Sequence, residues 1–408
     1  MMRSLVLVSA AVFLFALAAE AQSAANAQIS ARAEKLHRRS IVLDTHIDTT
    51  QRLFSADYDF GKRNATGHVD LPRMREGGLD AAFWSIYMAG TVTGPEAVKR
   101  SLRLIDGVRE LVARYPNDLV LTTTAAEVRR AHKQGKIAVL MGMEGGHMID
   151  DDLGVLRTYA ALGIRYLTLT HGRNTNWADS SSEPPKNNGL TDFGKQVVRE
   201  LNRLGVLVDI SHVSDKTFYD ALEVSQAPLI ASHSSLRSIA NVPRNMTDEM
   251  VQALAKKGGV IQITYVNGFI SQELADAQES LSEERRAKLA EVDKLYANDP
   301  AKRTEERARV NREISAKSPK VSWEKIIEHI DHVVKLVGVD HVGLGSDFDG
   351  ATMPEGMNDC SMLPKITDAL LKKGYKEKDV EKILGGNLLR AMEDAERVSR
   401  AMNRESKK

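Results

Sequence analysis

The stretch Ile41-Val-Leu-Asp-Thr-His-Ile-Asp48 ends a short apolar run in a histidine and an aspartate two residues apart. Side chains at i and i+2 of a strand share a face, so His46 and Asp48 can converge on one cation. An isolated His-x-Asp more often caps a strand and starts a turn, so the pair means little without company. That company stands at the ends of later apolar runs: Met143-Glu144-Gly-Gly-His147, Thr170-His171, Ile210-Ser-His212, Ser232-His233 and Ser346-Asp347. Imidazoles and carboxylates without thiolates suit zinc or another first-row divalent ion acting as a Lewis acid. Two such ions, about 3.5 to 4 Å apart, need a carboxylate between them. Glu144 comes from a run between the two ligand groups. It would bridge the ions, with His46 and Asp48 on one and His212 and His233 on the other. A hydroxide held between the ions would be the nucleophile, since coordination lowers the pKa of water towards about 7.

Positioning these groups falls to a repeated βα rhythm. Strand-like runs occur at 41–45, 81–88, 137–143, 166–170, 206–210, 229–232, 260–264 and 341–345. Helix-like stretches lie between them, such as 153–162, 193–204, 214–224 and 248–257. Ser214 and Thr247 stand where N-caps belong, and Gly205 and Gly258 where C-terminal caps belong. Near-continuous apolar strands alternating with amphipathic helices imply a parallel sheet, and eight units favour closure into a (β/α)8 TIM barrel. Active-site groups of such barrels sit at the C-terminal ends of the strands, where the six polar endings fall. From about Gln272 to Lys320 the chain is dense in Glu, Lys, Arg and Ala, which reads as a charged helical insertion between strands 7 and 8. Closing helices are expected at 366–371 and 380–384, and the tail after Arg397 is expected to fray.

The formal net charge of +1 over 408 residues gives no electrostatic reason for a nucleic acid partner. A small molecule is the expected partner. Residues 1–21 read as a secretory signal peptide: Arg3 supplies a positive start, Leu5 to Ala19 an apolar core, and Ala19-Glu-Ala21 a cleavage site. That core is shorter than the roughly 20 residues of a spanning helix. The mature chain, 22–408, is then expected to be a single exported barrel without a membrane span, periplasmic in a Gram-negative host. With Cys360 as the only cysteine it forms no internal disulfide.

Several motifs occur together and in order: Asp44-Thr-His-Ile-Asp48, Glu144-Gly-Gly-His147, Leu167-Thr-Leu-Thr-His171 with Asn174 and Trp177-Ala-Asp179, Asp209-Ile-Ser-His212, Ser232-His233-Ser234, Asn241-Val-Pro-Arg244-Asn245 and Gly345-Ser-Asp347-Phe-Asp349-Gly350. From about Val42 to Asn387 the chain thereby resembles the membrane dipeptidase (renal dipeptidase) family of zinc peptidases. The resemblance implies an amidohydrolase-type barrel with two Zn2+ per chain that cleaves dipeptides bearing a free C-terminal carboxylate. It implies that His171 contacts the scissile carbonyl and its developing oxyanion, that Arg244 binds the substrate carboxylate, and that Asp347 passes the proton from attacking water to leaving amine. Each role has physical sense: an imidazole donor for growing negative charge, a guanidinium fork for a carboxylate, and a carboxylate proton shuttle. By analogy with the family, a homodimer is expected. The chain departs from the mammalian members, which carry disulfides and a glycolipid anchor, and the likeness thins in the charged insertion.

Six histidines, His37, His68, His132, His329, His332 and His341, are read as surface or structural. His147, Asn174 and Asp349 are candidates for orienting the ligands. Dinucleotide, Walker, nucleophile-elbow and H-E-x-x-H motifs are missing. Two alternatives stand beside the dipeptidase: another amidohydrolase activity, on an N-acyl amino acid, cyclic amide or lactone, and an inactive barrel that only binds.

Overall fold

The computed structural model describes residues 29–405, so the proposed signal peptide lies outside the described residues. Nine strands form one parallel sheet: β1 Leu43–Ile47, β2 Ala81–Tyr87, β3 Leu119–Leu121, β4 Ile137–Glu144, β5 Ile164–Thr168, β6 Leu207–Asp209, β7 Leu229–Ser234, β8 Val260–Ile263 and β9 Val342–Leu344. β1 pairs with both β2 and β9, and β2 pairs directly with β4, so eight strands close on themselves. β3 stands outside the ring. It pairs only with the first half of β4, Leu119 opposite Ile137, while β5 takes over that edge from Met141 onward. The fold is the expected TIM barrel, with β3 as an addition whose three residues are too few to show a strand period.

Both faces of every barrel strand are buried, because helices cover the outside and side chains fill the inside. The helices begin where local chemistry dictates. Ser214 accepts from Thr217 N and Thr247 from Met250 N, capping Asp215–Val224 and Asp248–Lys256. Gly205 ends Asp192–Leu204 at φ +69°, a left-handed conformation that costs a glycine nothing.

Between β8 and β9, the seventh and eighth barrel strands, the charged insertion forms the helices Gln272–Ser280, Ser282–Leu295 and Pro300–Ala316. The last two pack on a small core of Val292, Val310 and Ile314. Strand boundaries differ by a few residues from those expected: β5 ends at Thr168, β6 at Asp209 and β9 at Leu344, so His171, His212 and Asp347 sit on the loops that follow. The tail does not fray among the described residues. Asn387–Glu405 is one helix whose end is held by Ser399 Oγ and Asn403 Nδ2, both donating to Arg203 O.

Candidate metal centre

Seven of the predicted groups, His46, Asp48, Glu144, His171, His212, His233 and Asp347, meet at one rim. Glu144, the last residue of β4, is buried, with Oε1 3.1 Å from His212 Nε2, 3.2 Å from His233 Nε2 and 3.7 Å from His171 Nε2. Its other oxygen, Oε2, lies 3.5 Å from His46 Nε2. His46 Nε2 is in turn 3.6 Å from Asp48 Oδ2. One carboxylate thus turns an oxygen to each side, which is what a bridging ligand must do. His46–Glu144–His233, Glu144–His171–His212 and His46–Asp48–Asp347 each bring ligand atoms within 4.8 Å of one another. The histidines do not separate into two clean pairs: the His233 ring is 3.8 Å from that of His46, and its Nε2 is 2.8 Å from His212 Nε2. A divalent cation fits this donor set. His46 Nε2 and Asp48 Oδ1 are buried without hydrogen-bond partners, an arrangement that costs free energy unless a cation takes the lone pairs.

The electrostatics follow from burial and crowding. Burial alone would raise the Glu144 carboxyl, but His46, His171, His212 and His233 more than reverse this and hold it well below the usual range. Burial holds His212 and His233 well below an ordinary imidazole, helped by Arg244 beside the first and His46 beside the second. Asp347 goes the other way, raised by burial and then by the charge of Asp48. Two of these residues and a neighbour have left-handed backbones without being glycine: His212 at φ +66°, Asp347 at +65° and Asp349 at +67°. Such strain costs about 1 to 3 kcal/mol each and persists only where surroundings enforce it. At His212 the enforcement is visible: its carbonyl accepts from Ser181 N at 2.8 Å and Thr170 Oγ1 at 3.0 Å.

Arg244 is buried against the second group of ligands. It donates to Ser234 Oγ at 2.9 Å and His233 O at 2.7 Å, with Phe269 under its guanidinium. Among the described residues no carboxylate lies within ion-pair range, its Nε has no partner, and burial pushes the group down to about 10. Beside His171 stands Tyr87, the last residue of β2, with ring centroids 4.8 Å apart. Asp347 and Asp48 lie together against Gly350, where any Cβ would collide with both carboxylates.

The three orienting candidates act at different distances. Asp349 clamps the loop around Asp48: Oδ2 accepts from Thr49 Oγ1 at 2.7 Å, and Oδ1 from His68 N at 2.7 Å and Arg52 Nη1 at 3.2 Å. Asn174 shapes the loop carrying His171, its Oδ1 accepting from Ser180 N at 2.7 Å. His147 makes no hydrogen bond to a ligand, and burial followed by the charge of His171 lowers it to about 4. Sequence reasoning missed Tyr166, whose hydroxyl meets His46 Nδ1 at 2.8 Å, because a tyrosine within a strand reads as core. Tyr87 was missed for the same reason, and Phe269 because an aromatic on the short helix Asn267–Ile270 also reads as core.

Residues 30–406 match the family described as membrane dipeptidase (peptidase family M19). Similar solved structures include the probable dipeptidase PvdM from Pseudomonas aeruginosa, 28% identical with TM-score 0.76 over 90% of this chain and 98% of that one. Another is a metallopeptidase from Rhodobacter sphaeroides bound to a phosphinate mimic of the dipeptide L-Ala-D-Ala, 27% identical with TM-score 0.72 over 87% of this chain and 99% of that one. With the strand-end rim, the closed barrel and a match over nearly its whole length, the chain belongs to the membrane dipeptidase family, a family of metallopeptidases.

Proposed function

We propose that this protein is a dipeptidase that holds two divalent metal ions, zinc in the first instance, and hydrolyses dipeptides with a free C-terminal carboxylate. His46, Asp48, Glu144, His212 and His233 would hold the ions. When bound, these would polarise the scissile carbonyl and lower the pKa of the attacking water. The observation that carries the substrate reading is Arg244. A buried guanidinium without an anion is costly, and a substrate carboxylate would supply the missing partner bidentately. The dipeptide mimic bound by the Rhodobacter sphaeroides relative supports the same substrate class.

The chain's own groups divide the remaining work. His171, partly exposed and with its ring tilted against that of Tyr87, can donate to the carbonyl oxygen as charge grows there. Asp347, whose proton affinity is raised by burial and by the charge of Asp48, can as a carboxylate take a proton from the attacking water and return it to the amine. Among the described residues no helix is long and apolar enough to cross a membrane. Export to the periplasm, supported by Ala19-Glu-Ala21, and homodimer formation complete the proposal.

A substrate panel tests it. Zinc-loaded protein should hydrolyse dipeptides and prefer them about 100-fold to the matching dipeptide amides. Arg244→Ala should erase most of that preference by raising KM. Turnover of N-acyl amino acids or lactones in preference to every dipeptide would favour the other amidohydrolase reading.

A further inference from the structure

A neutral imidazole that ligates through Nε2 carries its proton on Nδ1, and the partner of that N–H sets the ring's tautomer and orientation. For His233 the partner is Ser232 Oγ, at 2.8 Å. The same hydroxyl lies 2.6 Å from Asp209 Oδ2, which as a carboxylate oxygen accepts. Ser232 has one hydroxyl proton, and the alternative acceptor, Ser211 Oγ, is 3.5 Å away. With that proton given to Asp209, Ser232 Oγ can only accept from His233. His233 Nδ1 must therefore be the donor, which leaves the Nε2 lone pair facing Glu144 and free for a cation.

Asp209 is built for this task. It is the last residue of β6 and fully buried. Its Oδ1 accepts from Ser211 N at 3.1 Å and Ser232 N at 2.8 Å, and its Oδ2 also accepts from Thr168 Oγ1 at 2.5 Å. The carboxylate so joins β5, β6 and β7 directly beneath the rim. His46 is held differently. Its Nδ1 meets the phenol of Tyr166 at 2.8 Å, and that ring fills space which any Cβ on Gly142 would occupy. A phenol can give or take a hydrogen bond, so it does not dictate the His46 tautomer as the Asp209–Ser232 pair dictates that of His233.

We propose that Asp209, acting through Ser232, is a positioning residue that locks His233 in its Nε2-ligating form and strengthens one of the two metal positions. This rests on the two-ion reading above. The test is zinc affinity, measured by chelator competition on wild type, Ser232→Ala, Ser232→Thr and Asp209→Asn, alongside the melting temperature of each metal-free protein. Wild type should bind two zinc ions. Ser232→Ala and Asp209→Asn should weaken one of them about 10- to 100-fold and leave the other unchanged. Ser232→Thr, which keeps the hydroxyl, should restore the affinity, and metal-free Ser232→Ala should melt with wild type. Wild-type-like affinity for both ions in Ser232→Ala would overturn the relay, as would a loss that merely tracks a lower metal-free melting temperature. A wild type that binds fewer than two ions would instead overturn the two-ion reading, and the relay with it.

Discussion

Glu144 and Glu284 each have two basic side chains within 3.2 Å. Glu144 is 3.1 Å from His212 and 3.2 Å from His233, and Glu284 is 3.1 Å from Lys288 and 2.5 Å from Lys317. Both carboxyls are held below their ordinary range, Glu284 chiefly by its hydrogen bonds to Lys317 and Lys288. Their settings differ: the Glu144 side chain is 4% exposed, that of Glu284 36%. At the rim, burial removes water as an alternative partner, so each charge must find protein, a cation or a substrate. On the insertion, water competes for every charge and the ion pairs carry little free energy. Composition alone would make the insertion, dense in Glu, Lys and Arg, the more electrostatic region; burial makes it the rim.

Substitutions that remove rim groups should therefore be severe, and those in the insertion mild. Glu144→Ala should abolish binding of both ions and lower kcat/KM by at least ~10³-fold; full activity in this variant would refute the bridging assignment. Asp347→Asn, nearly isosteric, should lower kcat about 10²- to 10⁴-fold with little change in KM. Retention of both ions by that variant, read by metal analysis, would show that proton transfer rather than ligation was lost.

His329 lies between the two regions and should show an intermediate effect. It sits on the helix Glu324–Val337, accepts Leu236 N at 3.3 Å on the loop leading to Arg244, and faces Ile270 O at 3.3 Å. Burial lowers it from 6.5 to about 4. The unfolded chain therefore binds a proton that the folded protein refuses. Its contribution is fully present above pH 6.5, falls as the pH drops below that value, and is spent below about pH 4, a swing of roughly 3 kcal/mol. His329→Gln should flatten that part of the stability profile in acid denaturation; an unchanged slope would assign it to other groups. At the small end, Lys288→Ala breaks pairs to both Glu284 and Glu313 yet should leave kcat/KM unchanged. A large loss there would make the insertion part of the active site.

The barrel and its rim were legible because their signals are periodic and positional. Apolar runs separated by amphipathic helices give the eight closing strands, and a polar residue ending six of them marks one end of a barrel. The remainder depends on contacts between segments distant in sequence. Tyr166 reads as core until its hydroxyl is seen on His46, 120 residues away in sequence. The left-handed backbones of His212, Asp347 and Asp349 leave no compositional trace, since most Asp and His residues of any chain lie in other regions. The C-terminal helix was misjudged because its charged face resembles a solvated tail, whereas two polar side chains, Ser399 and Asn403, fasten it to Arg203.

The most direct test of the account is a zinc titration of the metal-free protein, with bound metal and dipeptide turnover recorded on the same samples. Turnover should rise with occupancy and saturate at two ions per chain. Saturation at two ions without hydrolysis of any dipeptide would contradict it.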